Sequence, residues 1–596
     1  MPLSPTPDLG SSRRLAGATL VVTLCVWALL AWSQGDITKT LGDTDDAMRL
    51  VRVHDLMAGQ GWFDQRITRL QPPLGTMMHW SRLLDGALAA VDWSFARVTS
   101  AATADWALRF VWPLLWIGPA VFCGLTMARS LLPPGAGRRS AVLIAPVLLF
   151  LDLQLYSQFR PGRIDHHNVQ IVMTLIAAAS AMASKNRARW AGVAGAATGL
   201  GLAIGIEALA FHAVIGASFA LRAAFEPREA RTARTYGVAL VAASLGLFLI
   251  QTPPSLWSSP VCDALGSNLV LAIVLGGLGL AAATSLTGKV PLMVRLGLLG
   301  LMGFVAAGAY LAADPACLHG PFAAVDPRLR PFWFDRIQEL RSWPQMWRLD
   351  RDVTIASITM VAMAVIAAIV LIARRGREPA TLLAAALVAL AGLAASQAFR
   401  MNDYIFWFGA PVVAAAIALL VVRWQGGALI ATLLAGVLLS PATVTMAATQ
   451  LAHLAPAPVK TAIKANAAAQ RCLNTRAYAP LASLPPGVVL APIDLGPFIL
   501  AHTASSALAA PYHRMSWGIL AAHDALNAPA TTAQAQVRRL NVRYIVDCPG
   551  DLSDPPAASL MDNLRRGHVP AWLKPLSSRG QALQIYQVVA AAPDPH

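Results

Sequence analysis

Apolar runs close to the length that a bilayer requires recur along the first three quarters of this chain. A helix needs about 20 predominantly apolar residues to cross a membrane, and such runs recur from Leu15 to about Met446. Only 13% of the 596 residues are charged, whereas soluble globular proteins carry about 25%. The sequence therefore predicts an α-helical polytopic membrane protein.

The runs predict about thirteen membrane helices. The fifth and sixth runs are short, and almost no turn separates them. At a rise of about 1.5 Å per residue, the other runs approach the hydrocarbon thickness of about 30 Å. The predicted spans are residues 15–32, 107–130, 141–156, 168–184, 191–205, 207–223, 237–252, 269–286, 291–312, 353–373, 381–398, 405–422 and 428–447.

Basic residues collect in short segments between these runs. They are Arg13/Arg14, Arg138/Arg139, Lys185/Arg187/Arg189, Arg222/Arg228/Arg231/Arg234, Lys289/Arg295, Arg374/Arg375/Arg377 and Arg423. The positive-inside rule places such loops in the cytoplasm, so the net charge of +16 indicates membrane topology and not nucleic-acid binding. With the first span retained as an anchor and not cleaved as a signal, an odd number of spans places residues 448–596 outside. We expect the periplasmic face of a bacterial inner (plasma) membrane.

The cysteines agree with this topology. Two of the six lie inside apolar spans, and the other four fall in segments predicted to lie outside, where disulfides persist. Four cysteines allow three pairings. We favour Cys262 with Cys317 in the loops and Cys472 with Cys548 in the tail.

Two of the predicted outer loops are long, at residues 33–106 and 313–352. Loops beyond about 12–15 residues tend to be functional. The first contains three carboxylates within four positions, Asp43, Asp45 and Asp46. Such a cluster is either a solvated turn that caps the next helix or a site for a divalent cation.

A second polar cluster, Asp165-His166-His167-Asn168, runs directly into an apolar span. It either caps the helix at the interface or binds a metal. A carboxylate-dominated site shared with the first-loop aspartates would suit Mg²⁺ or Mn²⁺. Arg160 and Arg163 lie beside the cluster, where guanidinium groups could hold phosphate oxygens.

Two further charged residues lie near predicted span ends, and a third lies in the second long loop. Glu207 separates two apolar runs, and an ionisable group at that depth is either a functional candidate or the marker of a surface turn. Arg400 is a phosphate-binding candidate or an ordinary interfacial arginine. Glu339 lies in the second long loop.

The tail differs from the rest of the chain. Strand-like runs at 488–490, 544–546 and 583–586 alternate with helix-compatible stretches at 519–526 and 532–539. The alternation predicts a small α/β domain, so we divide the chain into a membrane domain (1–447) and a C-terminal domain (448–596). His513 and Arg514 in this tail either face the site or cap a strand. No glycine-rich nucleotide loop is present, so a soluble nucleotide donor is not indicated.

These features resemble the GT-C class of membrane glycosyltransferases, and most of all the catalytic subunits of bacterial and archaeal oligosaccharyltransferases. That family has an aspartate motif early in its first outer loop, which the cluster at residues 43–46 matches. Its second acidic motif, on the next outer loop, is matched by Asp165 with His166. The resemblance extends over nearly the whole chain.

Two further motifs of the family are matched in position. A glutamate in its fifth outer loop resembles Glu339 in the sequence Arg-Ile-Gln-Glu. Its tail motif Trp-Trp-Asp-Tyr-Gly is replaced by Pro-Ile-Asp-Leu-Gly around Asp494. In the family that motif recognises the hydroxyl residue of the protein acceptor, so the loss of its aromatic residues favours a lipid or glycan acceptor.

The resemblance implies that a sugar or oligosaccharide passes from a polyprenyl-(di)phosphate donor to a periplasmic, lipid, glycan or protein acceptor, with inversion. It implies a divalent cation, Mn²⁺ or Mg²⁺, held by Asp45, Asp46, Asp165 and His166. Catalytic carboxylates would come from Asp43, Asp45, Asp46 and Glu339. Substrate contacts would come from Arg160, Arg163, Arg400, Asp494, His513 and Arg514.

Two other functions fit parts of the pattern. A transporter or flippase for a lipid-linked sugar would explain the intramembrane polar groups, but it predicts internal repeats and ionisable residues near mid-span. No repeat is evident, and the acidic clusters lie at span ends. A non-catalytic scaffold for envelope polysaccharide assembly would tolerate replacement of the acidic residues.

Overall fold

The computed structural model describes residues 9–33, 37–286, 288–425, 428–454, 470–549, 555–578 and 580–589. Helices dominate up to residue 453 of this described chain. They are α1 (Leu9–Ser33), α2 (Thr44–Met57), α3 (Arg82–Ala96), α4 (Ala101–Ser130), α5 (Ala136–Leu151), α6 (His167–Ala183), α7 (Ala188–Ile204), α8 (Leu209–Phe225), α9 (Ala230–Gln251), α10 (Ser267–Ser285), α11 (Leu292–Ala313), α12 (Trp343–Leu349), α13 (Arg351–Arg375), α14 (Pro379–Gln397), α15 (Asn402–Gln425), α16 (Leu429–Leu438) and α17 (Pro441–His453).

Each predicted span coincides with a helical segment. Within the described residues, nine helices are long and apolar enough to cross a membrane, or ten if α5 and the 3-10 helix Leu153–Phe159 form one span bent by 64°. The helices α6 and α8 are apolar but shorter, at 17 residues each. The number of thirteen spans therefore stays a prediction. The predicted boundary at residue 447 falls inside α17, and the domain division also stays a prediction.

The basic segments meet at one end of the helical domain. Arg222 of α8 donates to the backbone oxygen of Ala181 at the end of α6. Arg295 of α11 donates to the oxygen of Ala224 at the end of α8, and Lys185 lies 3.5 Å from Glu378 before α14. We call this the basic end, and it is the end that the positive-inside rule would place in the cytoplasm.

The opposite end carries the first long loop, which folds into α2, the short strands β1 (Arg66–Ile67) and β2 (Thr76–Met77), and α3. This loop is attached to α9, because the indole nitrogen of Trp62 donates to the oxygen of Ile250 and Ser81 bonds to Gln251. A long outer loop that is ordered in this way can hold functional residues at fixed positions.

A buried charge cluster joins α2 to α3. Arg49, Arg52 and Arg82 all bond to the carboxylate of Asp85, at 2.6, 2.5 and 3.4 Å, and all four side chains are almost fully buried. Arg49 and Arg52 are three positions apart and therefore share one face of α2. One carboxylate thus compensates three guanidinium groups, which leaves a positive excess beside the N-terminal part of α2.

The tail contains a five-stranded mixed sheet in the order β4–β3–β5–β7–β6. Strands β3, β4 and β5 are parallel, and β7 pairs antiparallel with both β5 and β6. The tail elements are α18 (Ala479–Ala482), β3 (Val488–Leu490), α19 (Gly496–His502), β4 (Ser506–Ala507), α20 (Ser516–Asn527), α21 (Ala530–Arg539), β5 (Val542–Asp547), α22 (Leu560–Arg565), β6 (Leu573–Pro575) and β7 (Gln584–Val588). The predicted strands and helices are present, and the short β4 and β6 are additional.

The tail is docked on the first loop by backbone hydrogen bonds. The amide of Gln71 donates to Ala507, and the amide of Ala507 donates to Arg69, each at 2.9 Å. The Arg69 guanidinium reaches three backbone oxygens of the tail at 3.0–3.3 Å, and the Tyr512 hydroxyl donates to the oxygen of Thr44. The tail therefore covers the N-terminus of α2.

Two disulfides lie in this outer part of the molecule. One joins Cys262 to Cys317, and the other joins Cys472 to Cys548. This is the pairing favoured from the sequence. The first bond links the loop after α9 to the second long loop, and the second bond ties the start of the described tail to the end of β5.

We predict that Asp85→Asn destabilises the protein strongly, because three buried guanidinium groups then lose their only shared carboxylate. Breaking a buried charge cluster on one side costs about 3–5 kcal/mol. The measurement is the thermal unfolding midpoint in detergent, with Glu226→Gln as the control because Glu226 is an exposed acid at the basic end. Equal midpoints for the two variants would contradict the prediction.

Candidate active site

The N-terminus of α2 brings the first-loop aspartates to the second acidic cluster. The Asp43 carboxylate caps the helix by accepting hydrogen bonds from the backbone amides of Asp45 and Asp46 at 3.0 and 3.1 Å. In turn, the Asp46 carboxylate accepts a hydrogen bond from the backbone amide of Asp43. Gly42 precedes this cap with φ +86°, and a Cβ at this position would collide with the Asp46 carboxylate. Only glycine suits this close approach.

Asp46 is a fully bonded residue. Its Oδ1 accepts the amides of Ile164 and Asp165 at 2.7 and 3.0 Å, and its Oδ2 accepts from Arg163 at 2.9 Å. Its oxygens therefore hold the second acidic segment against α2. This geometry does not support the metal-ligand role predicted for Asp46, because a cation would have to displace backbone and guanidinium donors.

Asp45 differs from its neighbours. Its side chain makes no hydrogen bond or ion pair with any described residue, and it is half-buried. Burial and the adjacent charges of Asp165 and Asp43 raise the pKa of Asp45 well above its ordinary value. A carboxylate that is crowded by like charges and lacks a partner has oxygens available for a cation or for a proton.

The second acidic cluster is buried and densely paired. His166 Nδ1 lies 2.6 Å from Asp165 Oδ1, and His167 Nε2 lies 3.2 Å from Asp165 Oδ2. Both imidazoles also face the Glu207 carboxylate, at 3.4 and 3.3 Å. From the sequence, Glu207 was either a functional residue or the marker of a surface turn. The structure places its carboxylate in this cluster.

The pKa values of Asp165 and His166 are shifted in opposite directions. Burial alone would raise the pKa of Asp165, but His166 and His167 lower it well below its ordinary value. Burial alone would lower the pKa of His166, but Asp165 and Glu207 raise it to about 10. Asp165 is therefore held as the carboxylate, which is the form that binds cations.

Arg400 and Glu339 complete the cluster from two other segments. Arg400 bonds to the Glu207 carboxylate and lies 3.4 Å from His167 Nε2. Glu339 from the second long loop lines a cavity of about 140 Å³ together with these three residues. Segments that are distant in sequence thus meet at one polar centre.

The sequence interpretation missed Arg49, whose free nitrogen faces this centre. Arg49 Nη2 lies 3.9 Å from Asp165, and its guanidinium lies 4.4 Å above the Trp80 ring. Two of its nitrogens are buried without a hydrogen bond. The spacing of Arg49 and Arg52 within an amphipathic stretch is a signal in the sequence, but it does not reveal that Asp85 compensates them.

The other residues predicted to bind substrate differ in their surroundings. The side chain of Arg160 is exposed, as is that of Asp494. Arg163 is engaged by Asp43, Asp46 and Gln158. The substrate-binding roles of Arg160, Arg163 and Asp494 stay predictions.

His513 and Arg514 form a separate clamp with Asp263. Arg514 makes two bonds to the Asp263 carboxylate at 2.6 and 2.7 Å, and His513 Nε2 lies 2.8 Å from the same carboxylate. The His513 ring packs on His79 with centroids 4.4 Å apart. The clamp therefore ties the tail to the first loop and to the loop after α9.

The donor set fits a divalent cation. Asp45 makes no hydrogen bond with a described residue, and Oδ2 of Asp165 is buried without a well-aligned hydrogen bond, although His167 Nε2 lies 3.2 Å from it. Ligand atoms of Asp165, His166 and His167 lie within 4.8 Å of one another. The carboxylates suit Mn²⁺ and Mg²⁺, and the imidazoles are ligands that occur at zinc sites.

We predict that Asp263→Asn weakens docking of the tail in a pH-dependent way. Although burial raises it, the pKa of Asp263 is lowered overall by hydrogen bonds from His513 and Arg514. A lowered carboxyl pKa stabilises the fold above its unfolded value of about 4 and loses that effect as the pH falls further. The difference in unfolding midpoint between wild type and Asp263→Asn should be constant above about pH 5 and shrink below about pH 4.

The control for this measurement is Asp335→Asn, because Asp335 is an exposed carboxylate of the second long loop. It should change the midpoint little at every pH. If the difference in unfolding midpoint between wild type and Asp263→Asn grows as the pH falls, the assignment of the clamp is wrong.

No protein-family model matches the sequence, and no curated relative matches it. Solved structures do match, and they show that the chain is a multi-pass membrane protein with the fold of the GT-C membrane glycosyltransferases. The archaeal oligosaccharyltransferase AglB from Archaeoglobus fulgidus, in complex with an inhibitory peptide and a dolichol-phosphate, superposes with a TM-score of 0.63. The two sequences are 13% identical, and the match covers 89% of this chain and 69% of that chain.

Two other structures of the A. fulgidus oligosaccharyltransferase give similar values. The complex with Zn and sulfate has a TM-score of 0.59 at 15% identity, over 89% of this chain and 68% of that one. The form tethered to an acceptor peptide that contains the NVT sequon has a TM-score of 0.62 at 14% identity. That match covers 89% of this chain and 69% of that one. At these identities the similarity shows the fold alone.

Proposed function

We propose that the protein is a membrane glycosyltransferase that transfers a sugar or oligosaccharide from a polyprenyl-(di)phosphate donor. The observation that carries the proposal is the carboxylate of Asp45, which has no partner among the described residues and faces the buried Asp165 cluster beside Arg400. A donor whose isoprenoid lies in the bilayer would present its phosphate at this end of the membrane helices. The fold shared with AglB, a structure of which contains a dolichol-phosphate, supports this proposal.

Arg400 is the cation best placed to bind the departing phosphate. It is largely buried, and among the described residues Glu207 and His167 contact its guanidinium. A guanidinium has five N–H donors in a rigid fork, so donors remain for phosphate oxygens. A charge-assisted bond formed inside a water-poor site stabilises charge that develops on the leaving group.

Asp45 and Glu339 are the carboxylates available to orient or deprotonate the acceptor. Both side chains lack hydrogen bonds with described residues, and each is half-buried. The pKa of Asp45 is raised by burial, and a raised pKa suits proton acceptance near neutral pH. Attack on the face opposite the phosphate would invert the anomeric centre.

Asp45 and Asp165, with the imidazole of His167, would hold the divalent cation. His166, whose pKa is raised to about 10, would first have to lose a proton to join them. When bound, Mn²⁺ or Mg²⁺ would neutralise phosphate charge as a Lewis acid. The A. fulgidus enzyme has been solved with Zn and sulfate, which supports a metal in a protein of this fold. Asp46 would orient Asp165 through the amides of Ile164 and Asp165.

The acceptor would be a lipid, a glycan or a protein on the outer side. The tail lacks the aromatic residues of the motif that reads the protein acceptor in the resembling family, which favours the first two. The basic end lies opposite the polar centre, and the positive-inside rule then supports a bacterial inner membrane with a periplasmic tail.

We predict that Asp45→Asn lowers sugar transfer by about 10²–10⁴-fold, because the amide can neither accept a proton nor hold a cation well. The assay is transfer from a radiolabelled polyprenyl-linked donor pool by purified protein in detergent. Asp335→Asn serves as the matched control. Wild-type activity in Asp45→Asn, Asp165→Asn and Glu339→Gln would sink the proposal, whereas movement of intact donor across liposomes without transfer would indicate a flippase.

We also predict that the purified protein binds Mn²⁺ and that chelator abolishes transfer. Asp165→Asn should weaken Mn²⁺ binding, followed by electron paramagnetic resonance, by at least about tenfold, because it removes one anionic ligand. Asp335→Asn should bind like the wild type. Transfer that persists in chelator, in a protein that binds no Mn²⁺, would remove the metal from the mechanism.

A further inference from the structure

A cavity of about 1740 Å³ opens at the basic end of the helical domain. Ala183, at the last position of α6, lines this cavity, whereas His167 at the first position of α6 belongs to the polar centre. The helix α6 is 17 residues long. A rise of about 1.5 Å per residue then separates its two ends by roughly 25 Å. The cavity is therefore distinct from the candidate active site.

The charge of the cavity wall is almost entirely positive. Nine basic residues line it, among them Arg129, Arg138, Lys185, Arg222, Arg231 and Arg375. Glu378 is the single acid among the lining residues, and it lies 3.5 Å from Lys185. Because these cations come from four separate segments, the fold itself brings them together against their mutual repulsion.

The positive-inside rule does not account for this convergence. The rule requires basic residues in the loops of the basic end, and Arg234, Arg374 and Arg377 satisfy it without lining the cavity. The cavity residues instead surround one partly open volume. Such a concentration of like charge indicates an anionic occupant.

Several of these cations have hydrogen-bonding capacity to spare. The side chains of Arg129, Arg187, Arg228 and Arg231, which all line the cavity, make no hydrogen bond or ion pair with any described residue. Arg222 is about nine-tenths buried, is anchored to Ala181 and Ser184 and is paired with the buried Glu229 carboxylate, yet its Nε has no partner among the described residues. The cavity wall thus combines one anchored guanidinium, that of Arg222, with four that make no hydrogen bond to a described residue.

The other part of the cavity is an apolar crevice between α1, α4, α6 and α7. Leu15, Phe122, Ile176 and Val193 line it, and Phe122 and Val193 are 40% and 41% exposed. On α4 the lining runs from Ser130 back to Gly118, which is about 18 Å along the helix. One leaflet of the hydrocarbon core is about 15 Å deep.

We propose that this cavity binds an anionic phospholipid of the leaflet at the basic end. The phosphate headgroup lies among the arginines, and an acyl chain lies in the crevice beside Phe122 and Val193. A basic pocket between membrane helices is the known setting for anionic lipid headgroups. A small soluble anion would leave the crevice empty, and the volume is larger than the roughly 1000 Å³ at which ordinary small-molecule sites end.

The lipid would stabilise the packing of α7, α8 and α9, because most of these cations lie at or beside the ends of these helices. It neutralises charges that otherwise repel one another in a partly buried volume. This role is independent of the proposed glycosyl transfer. The proposed lipid binding would stand even if the protein showed no glycosyl transfer.

The test uses the full-length protein purified in a neutral detergent. The probes are dioleoylphosphatidylglycerol, tetraoleoylcardiolipin, dioleoylphosphatidylcholine and inorganic phosphate, each titrated against the thermal unfolding midpoint and followed by native mass spectrometry. We expect the two anionic lipids to be retained and to raise the midpoint, and the other two to do neither. The effect should weaken at high ionic strength.

The decisive variant replaces Arg187, Arg228 and Arg231 together by Gln, since these side chains are exposed and have no partner among the described residues. The matched control replaces Arg234, Arg374 and Arg377 by Gln, which removes the same charge from the same end. The first variant should bind cardiolipin about a hundredfold more weakly, and the control should bind like the wild type. Equal weakening in both variants, or a full stabilisation by inorganic phosphate alone, would overturn the proposal.

Discussion

The polar centre depends on the compensation of buried like charges. Asp43, Asp45, Asp46 and Asp165 lie close together in a protein with few acids, and uncompensated carboxylates at such depth cost several kcal/mol each. Arg163 compensates the first and third of them, and the positive excess at Arg49 faces the fourth. That excess exists because Asp85 neutralises only part of the charge of Arg49, Arg52 and Arg82. The first loop thus carries three of the carboxylates and Arg49, and the segment before α6 carries Asp165 and Arg163.

The tail completes this arrangement by covering it. Tyr512 bonds to the oxygen of Thr44 next to the aspartates, and its ring packs edge-on against Trp80. Trp80 in turn lies under the Arg49 guanidinium. Because electrostatic interactions strengthen as water is removed, the contacts that dock the tail also strengthen the pairing between Arg49 and Asp165. The clamp at Asp263 holds the tail in this position from the other side.

The sequence predicts the parts of this structure that arise from local pattern. The apolar runs give the helices, and the charge and cysteine distribution gives the outer segments. The pattern could not separate Asp45 from Asp46, because adjacent helical residues point about 100° apart and only the position of residues 164–165 decides which one is bonded. The sequence pattern also could not predict the contacts of Asp263 with His513 and of Arg49 with Asp85, because those contacts depend on how distant segments pack. Strands β4 and β6 were missed because they have only two or three residues and, unlike β3, contain no β-branched residue.

The directions of the helices help to explain why carboxylates collect at the polar centre and basic residues collect at the basic end. The N-termini of α2, α6 and α15 all lie at the polar centre, since Asp45, His167 and Arg400 belong to or adjoin their first turns. Helix N-termini carry a partial positive charge and stabilise carboxylates and phosphates. The last turns of α8 and α13 carry Arg222, Arg374 and Arg375, and basic residues stabilise the negative ends of helices. Helix dipoles therefore favour a phosphate at the polar centre and Arg222, Arg374 and Arg375 roughly 25 Å away, whereas Arg187, Arg189 and Arg231 adjoin helix N-termini and gain nothing from them.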